Sequence, residues 1–307
     1  MRLAVMTENV WAVIICYFPS RQEVMRLLDA LSGQVQKTLV MNNGGIEIQL
    51  LTELSVNPSV TVVDLGGNMG IGAALNNAFR LMLLHNVAYG VTFDQDSHPP
   101  PKHVITLLGA RKRLAFEAGS SRRLGAIGPS FYDARDGRFD YPFFRASGWL
   151  VRRVNRNTGE AVPKVDALIT SGMLVPVALW HLHPFLEHLF IEHVDTEWCF
   201  RTLNEGYQHY GCFDVQMCHE LSDGQPIIFA GVIFLRYSAL RRYYYFRNTV
   251  FLIGRRYVPA AFRLRLALGV IVKALVSPVI DISARKTLQA TIAGLADGVR
   301  GRFGRKD

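Results

Sequence analysis

Phe93-Asp94-Gln95-Asp96-Ser97 sets two carboxylates one residue apart at the end of a short apolar run that begins at Tyr89. On extended backbone the side chains at i and i+2 point the same way, so Asp94 and Asp96 can converge on one hard divalent cation, Mg²⁺ or Mn²⁺. A cation held at a strand end suits phosphate chemistry. The same residues also fit the start of a helix, because Asp and Ser favour N-caps and Pro99, Pro100 and Pro101 follow.

A second acidic segment, Phe190-Ile191-Glu192-His193-Val194-Asp195-Thr196-Glu197-Trp198-Cys199, reads as a loop-to-helix junction. Asp195 fits two roles there: N-cap of an amphipathic helix with Trp198 and Cys199 in the core, or general base for a sugar hydroxyl. Farther on, Val215 to Leu221 reads as a strand end carrying His219, which fits a structural histidine or a metal ligand. His181, His183, His188 and His193 cluster in sequence, but their spacing matches no standard zinc set.

These residues need a scaffold, and the first hundred positions supply one. Short apolar runs (Val10 to Cys16, Lys37 to Met41, Val60 to Val63, Ala88 to Phe93) alternate with helical patterns over Gln22 to Leu31, Ile46 to Leu54, Ile71 to Leu84 and Val104 to Ala110. That rhythm predicts a doubly wound, mostly parallel α/β sheet, whose ligands bind beyond the carboxyl ends of the strands. Tyr17, Asn42-Asn43, the Asp64-to-Gly72 segment and the two aspartates all follow strands and should share one rim. Gly66, Gly67, Gly70 and Gly72 fit close backbone approach to an anion at a helix start, and equally a tight turn with positive φ. From Arg122 the alternation stops. Leu124 to Tyr132, Gly148 to Val154 and Val165 to Leu168 read as strands of a mixed acceptor half, with Thr170-Ser171-Gly172-Met173 either lining a cleft or marking a strand-to-turn junction.

Half the 307 residues are apolar, enough for a large core. The four cysteines form no C-x-x-C pair and no signal-like segment opens the chain, which favours reduced thiols in the cytoplasm. The net charge of +9 resides in the tail: residues 236 to 307 hold 15 Lys and Arg against 3 Asp, whereas residues 1 to 235 hold 19 against 22 acidic residues. We expect a catalytic domain over 1–235, with a nucleotide-binding half near 1–120 and an acceptor half near 121–235, and a basic aromatic helical region over 236–307. The longest apolar stretch, Leu266 to Ile280, is interrupted by Lys273 and falls short of the roughly 20 residues needed to span a bilayer. Peripheral contact with an anionic membrane face is expected instead. Arg241, Arg242, Arg247, Arg255 and Arg256, interleaved with Tyr243, Tyr244, Tyr245, Phe246 and Tyr257, either contact headgroups or pack on the domain. Leu288, Ile292, Leu295 and Val299 form a helical stripe that should pack on the domain or, less simply, on a second subunit.

Taken in order, Ile15-Cys16-Tyr17-Phe18-Pro19, Val40-Met41-Asn42-Asn43-Gly44, Gly67 to Asn76, Phe93 to Ser97, Ile169 to Gly172, His193 to Cys199 and Tyr243 to Asn248 resemble glycosyltransferase family 2. Within it they resemble the bacterial rhamnosyltransferases of O-antigen and related surface polysaccharides. The likeness covers about the first 255 residues. It implies a nucleotide-diphospho-sugar transferase (GT-A type) fold, a divalent cation as cofactor, and transfer with inversion. By position, Asp94 and Asp96 match the family's D-x-D, Asp195 its catalytic base, and His219 a histidine that completes the metal shell. Tyr17, Asn42, Asn43, Asp64, Gly67, Asn68, Gly70 and Asp94 fall in the nucleotide-binding segments. Many relatives carry Asp where this chain has Asn42, so here the contact to the base would run through an amide oxygen without the charge.

The resemblance therefore implies a metal-dependent inverting transferase that moves L-rhamnose from dTDP-L-rhamnose to a lipid-linked glycan at the cytoplasmic face of the inner membrane. Another nucleotide sugar, such as a UDP-hexose, is the alternative within the class. From another class, the basic tail alone would suit a non-catalytic module binding membrane or nucleic acid. Nucleic acid is not expected as a partner of the enzyme, and self-association through the C-terminal helices remains open.

Overall fold

A computed structural model describes residues 8–118, 123–135, 139–218, 224–229, 232–281 and 283–306. Four β-α units open the chain: β1 (Val10–Cys16), α1 (Arg21–Leu31), β2 (Lys37–Asn42), α2 (Ile48–Ser55), β3 (Val60–Asp64), α3 (Ile71–Leu84), β4 (Tyr89–Asp94) and α4 (His103–Ala118). The strands β5 (Arg123–Asp133), β6 (Phe139–Tyr141), β7 (Phe143–Ser147), β8 (Leu150–Val154), β9 (Lys164–Val165) and β10 (Met173–Pro176) follow. Next come α5 (Val177–Leu182), α6 (Val194–Asn204), β11 (Tyr207–Cys218), β12 (Gly224–Phe229) and β13 (Val232–Arg236). Three helices end the described chain: α7 (Ala239–Ile253), α8 (Ala260–Ile280) and α9 (Ala284–Arg300).

The main sheet runs β3-β2-β1-β4-β10-β5-β11-β9, with β6 pairing β5. Its first four strands are parallel, β10 is antiparallel to both β4 and β5, and β5 pairs β11 in parallel. The mostly parallel, doubly wound sheet expected from the sequence is thus present. Buried on both faces, its central strands are apolar at nearly every position. In β1, Trp11 and Val13 join one core cluster with α3 residues Leu75, Phe79 and Met82, while Ala12, Ile14 and Cys16 join another with Leu27 of α1, Leu50 of α2 and Leu107 of α4. The single alternation of side chains along one strand is what loads both layers.

Two expected strands are shorter than their patterns suggest. The Val165-to-Leu168 run keeps only Lys164–Val165 as strand, because the chain turns at Asp166, whose carboxylate accepts the Ala146 N–H at 2.6 Å. Gly148 sits at φ 61 in the β7–β8 turn, so that strand starts at Leu150.

The aromatic-basic tail segment packs inward. Tyr243, Tyr244, Phe246, Arg242 and Arg247 of α7 are buried. Arg242 forms a two-toothed pair with buried Asp281, Nε to Oδ2 at 2.9 Å and Nη2 to Oδ1 at 2.8 Å. These side chains are core, not headgroup ligands. The expectation for α9 is also corrected: its packed face is Thr287, Ala290, Thr291 and Gly294, whereas Leu288, Ile292 and Val299 face outward and only Leu295 reaches the core. Gly294 decides this, since a Cβ there would lie 2.4 Å from the Tyr243 carbonyl oxygen, and small residues let α9 approach α7 closely. Among the described residues no helix is long and apolar enough to cross a membrane.

Candidate active site

Strand register aligns the candidate residues along one rim. Asn42 pairs with Cys16 on one side and Asp64 on the other, and Asp94 lies opposite Ile15. The carboxyl ends of β3, β2, β1 and β4 therefore finish level, and the loops that leave them meet.

Those loops are tied together by side-chain amides. Asn43 is buried; its Oδ1 accepts the Met69 N–H at 2.8 Å and its Nδ2 donates to Asn68 Oδ1 at 3.2 Å. Asn42 Oδ1 accepts the Gly44 N–H at 3.1 Å, and its Nδ2 donates to Asp64 Oδ1 at 3.3 Å. The carboxylate absent at position 42 is thus present on the adjoining strand, one hydrogen bond away. Tyr17 is half exposed; its N–H donates to Gln95 Oε1 at 2.8 Å, which joins the loop after β1 to the turn between the two aspartates. At Gly67, φ is 141° and the space where a Cβ would point is open, so a ligand can approach the backbone there.

The start of α3 differs from the expectation of free N–H groups for an anion. Gly70 caps the helix at φ 83°, its N–H donates to Asn68 Oδ1 at 3.0 Å, and the Ile71 N–H donates to the Phe190 carbonyl at 2.7 Å. A Cβ on Gly70 would lie 2.6 Å from that carbonyl oxygen. The loop before Asp195 therefore plugs this helix end.

Asp94 ends β4 half-buried, and Asp96 is exposed on the turn that follows. The helix after them starts only at His103, so neither carboxylate caps it. Ser97 Oγ lies 2.6 Å from Ser171 Oγ, and the backbone of residues 170–172 is held against β4: the Gly172 N–H donates to Thr92 O at 2.6 Å and Thr92 Oγ1 donates to Thr170 O. From below, His103 Nε2 donates to Gly172 O at 2.9 Å; burial pushes this imidazole's pKa down to about 4, which keeps it neutral.

Asp195 completes the arrangement from the other side of the same segment. Its Oδ2 accepts the Thr170 N–H at 3.0 Å and its Oδ1 accepts its neighbour Thr196 N–H at 2.6 Å. His193, at φ 63°, is the cap residue of α6, so Asp195 is the second residue of the helix rather than its cap. Desolvation raises the Asp195 carboxyl to about 6, against the lowering effect of the two backbone N–H groups.

The loop that delivers Asp195 contains three non-glycine residues at positive φ: Phe190, Glu192 and His193. Such conformations persist only where the surroundings over-determine them. Here α7 does so. Asn248 Nδ2 points at the carbonyls of Leu189, Ile191 and Glu192 at 3.0, 2.7 and 2.8 Å, Arg247 Nη2 donates to Leu189 O at 2.8 Å, and His193 Nε2 meets Thr249 Oγ1 at 2.9 Å. His188 lies edge-on to Phe251 and Phe303. Among the described residues no group of three His, Cys, Asp or Glu side chains is placed to hold a metal. His219 lies outside the described residues; the last described position before it, Cys218, pairs with His98, two residues beyond Asp96.

One residue of the rim escapes sequence reasoning altogether. The segment after α9 folds back along α7: the Gly304 N–H donates to His188 O at 2.7 Å, Arg247 Nη1 to Gly304 O at 2.6 Å, and the Lys306 N–H to Tyr244 OH at 2.7 Å. This carries Arg305 to the glycine-rich loop, Nη1 at 3.4 Å from Asn68 O, with its side chain exposed. No local motif marks Arg305, and the α7 residues that hold its segment, Arg247 and Tyr244, lie far away in sequence. A hollow of about 940 Å³ between α1 and α4 holds none of the candidate residues.

No family model matches the chain. It is 28% identical over 306 residues to the dTDP-rhamnosyl transferase RfbF of Shigella flexneri, covering 97% of this chain and 98% of that one. Among solved structures it is similar to GalNAc-T7 with UDP, GalNAc and Mn²⁺ (TM-score 0.56, 12% identity, 85% of this chain and 54% of that one). It is likewise similar to residues 1–349 of S. aureus TarS in complex with UDP-GlcNAc (TM-score 0.54, 12% identity, 96% of this chain and 83% of that one). The chain spans about half the length of GalNAc-T7. Near-full-length similarity to a rhamnosyl transferase, together with a fold shared with these transferases, makes the chain a glycosyltransferase of the GT-A fold, in agreement with the family 2 resemblance.

Proposed function

We propose that the chain transfers L-rhamnose from dTDP-L-rhamnose, with inversion, to a lipid-linked glycan presented at the cytoplasmic face of the inner membrane, in O-antigen or related polysaccharide synthesis. The sugar follows from similarity to the named rhamnosyl transferase. The chemistry rests on one observation: Asp195 holds the Thr170 N–H while Thr170 and Ser171 hold the β4 end, so base candidate and acidic pair flank a single segment.

In this reading the nucleotide lies across Tyr17, Asn42, Asn43, Asp64, Gly67 and Asn68, with Gly70 shaping the loop behind them and Arg305 adding a positive charge beside the diphosphate. Asp94 and Asp96 would hold a divalent cation. Two hard oxygen donors suit Mg²⁺ or Mn²⁺, which commonly take one or two carboxylates and fill the remaining positions with phosphate oxygens and water. When bound, such an ion stabilises the negative charge of the departing diphosphate. His219 is proposed as a further ligand.

Asp195 then takes the proton of the acceptor hydroxyl as that oxygen bonds to the anomeric carbon and the bond to the diphosphate breaks. Asp195 Oδ1 accepts both the N–H and the hydroxyl of Thr196, whereas Oδ2 accepts only the Thr170 N–H and keeps a second lone pair for the proton. A carboxyl raised to about 6 is a stronger base than an ordinary aspartate and remains ionised at neutral pH. One displacement needs no protein nucleophile.

The test is a thermal-shift panel of dTDP-, UDP- and GDP-sugars with and without Mn²⁺. A shift specific to dTDP-rhamnose is expected. A shift confined to a UDP-sugar would replace the donor, and no response to any nucleotide sugar would overturn the reading.

A further inference from the structure

With the α7 aromatics buried, the apolar surface of the C-terminal helices lies elsewhere. On α8, Leu264, Leu268, Ile271, Val272, Leu275 and Val279 are between 47 and 83% exposed. Their spacing, i, i+4, i+7, i+8, i+11 and i+15, makes one continuous stripe along the helix. A 21-residue helix is about 30 Å long, so the stripe is an extended apolar ridge. The three cations of α8 do not interrupt it: Lys273 turns inward over the Tyr245 ring at 4.2 Å, Arg265 lies over Phe144 at 4.5 Å, and Arg263 is half-buried with its Nε inside. Ile292 of α9 is also turned outward.

Charge decides what covers this face. Residues 254 to 306 hold 11 Lys and Arg and two Asp. Both aspartates are engaged inward, Asp281 with Arg242 and Asp297 with the Tyr243 hydroxyl at 2.9 Å. Arg285 and Lys286 are exposed at the start of α9, just past the end of the stripe. A symmetric dimer through this face would set the same basic rim against itself. An anionic lipid surface meets both features at once, headgroups on the cations and acyl chains on the ridge.

We propose that the outward face of α8, with the basic start of α9, docks the protein in the plane of an anionic bilayer. In function this rests on the reading of a membrane-borne acceptor, and it assigns to that reading a surface distinct from the residues of the rim. The loop 187–193 connects the two, since α7 packs against α8 and α9 on one side and holds the approach to Asp195 on the other.

The experiment is flotation of the full chain with vesicles of phosphatidylglycerol and phosphatidylcholine, and with phosphatidylcholine alone. Binding is expected to the anionic vesicles and to weaken in high salt. Leu268→Glu with Leu275→Glu should reduce it about tenfold or more with an unchanged melting temperature, since both side chains are already exposed. Arg285→Glu with Lys286→Glu, which leaves the ridge intact, should lower the preference for anionic lipid. Undiminished flotation of the Leu variant overturns the proposal. So does a dimer that the Leu variant dissociates while the wild type ignores vesicles. Transfer to a soluble acceptor is measured in parallel: intact transfer without vesicle binding sinks the docking face alone, and vesicle binding without transfer sinks the enzymatic reading alone.

Discussion

Asp195 Oδ2 accepts the backbone N–H of Thr170 at 3.0 Å, and this single bond joins the start of α6 to the segment that also grips the end of β4. The carboxylate is oriented by two main-chain N–H groups, those of Thr170 and Thr196, with the Thr196 hydroxyl adding a longer third bond at 3.3 Å.

Replacing it isolates its chemistry. Asp195→Asn should lower kcat by about 10³-fold, within the range for loss of a general base, and leave nucleotide affinity unchanged. Stopped assays of sugar transfer with saturating donor measure this directly. Turnover within tenfold of wild type would remove Asp195 from the role.

The raised pKa of Asp195 gives a pH signature. The base must be ionised, so kcat should fall on the acid side with a midpoint at about 6 rather than near 4, and the limb should be absent from the residual activity of Asp195→Asn. The linked effect on stability has the opposite sense. A carboxyl whose pKa is raised on folding binds protons better folded than unfolded, so its share of stability declines as pH rises from about 4 to about 6.

Asp96→Ala tests the cation. Calorimetry with dTDP should show an affinity gain on adding Mn²⁺ in the wild type and little or none in the variant, and EDTA should bring the wild type to the variant's level. Equal Mn²⁺ dependence in both proteins would contradict the assignment.

Asn248 is a positioning residue in this scheme, acting through the loop that carries Asp195. Asn248→Ala leaves the Ile191 and Glu192 carbonyls without this donor, while Leu189 O keeps Arg247 Nη2, at a cost of about 1–3 kcal/mol in stability. Because the loop then relaxes from its positive-φ conformation, kcat should fall while the donor KM holds. A melt and a kinetic split between kcat and KM distinguish this from general destabilisation, which would lower the melting temperature alone.

Arg305→Ala probes the rim cation. Nucleotide diphosphate affinity should weaken about two- to fivefold, the modest figure reflecting a solvent-exposed charge, and the loss should shrink at high salt. Unchanged affinity at low salt would place Arg305 outside the donor site.

Local sequence determined much of the first, β-α-alternating half. The run Val10–Cys16 is apolar at both parities, which only a strand covered on two faces requires, and the Ile71–Leu84 helix follows directly from its periodicity and from Gly70 before it. The order of polar residues after those strands was enough to expect a common rim. What tertiary structure decided depends on groups far apart in the chain. Whether Gly70 and Ile71 offer N–H groups to an anion is settled by Phe190, 119 residues beyond Ile71, which takes one of them. Whether Arg247 and Asn248 meet lipid or hold a loop is settled by the carbonyls of 189–192. The stripe on α9 points outward because Gly294 and Ala290 fit against α7 more closely than leucines can, so steric access overrode hydrophobic periodicity. A pattern along one element reports which faces differ; which face finds a neighbour is set by the shape of the element that arrives.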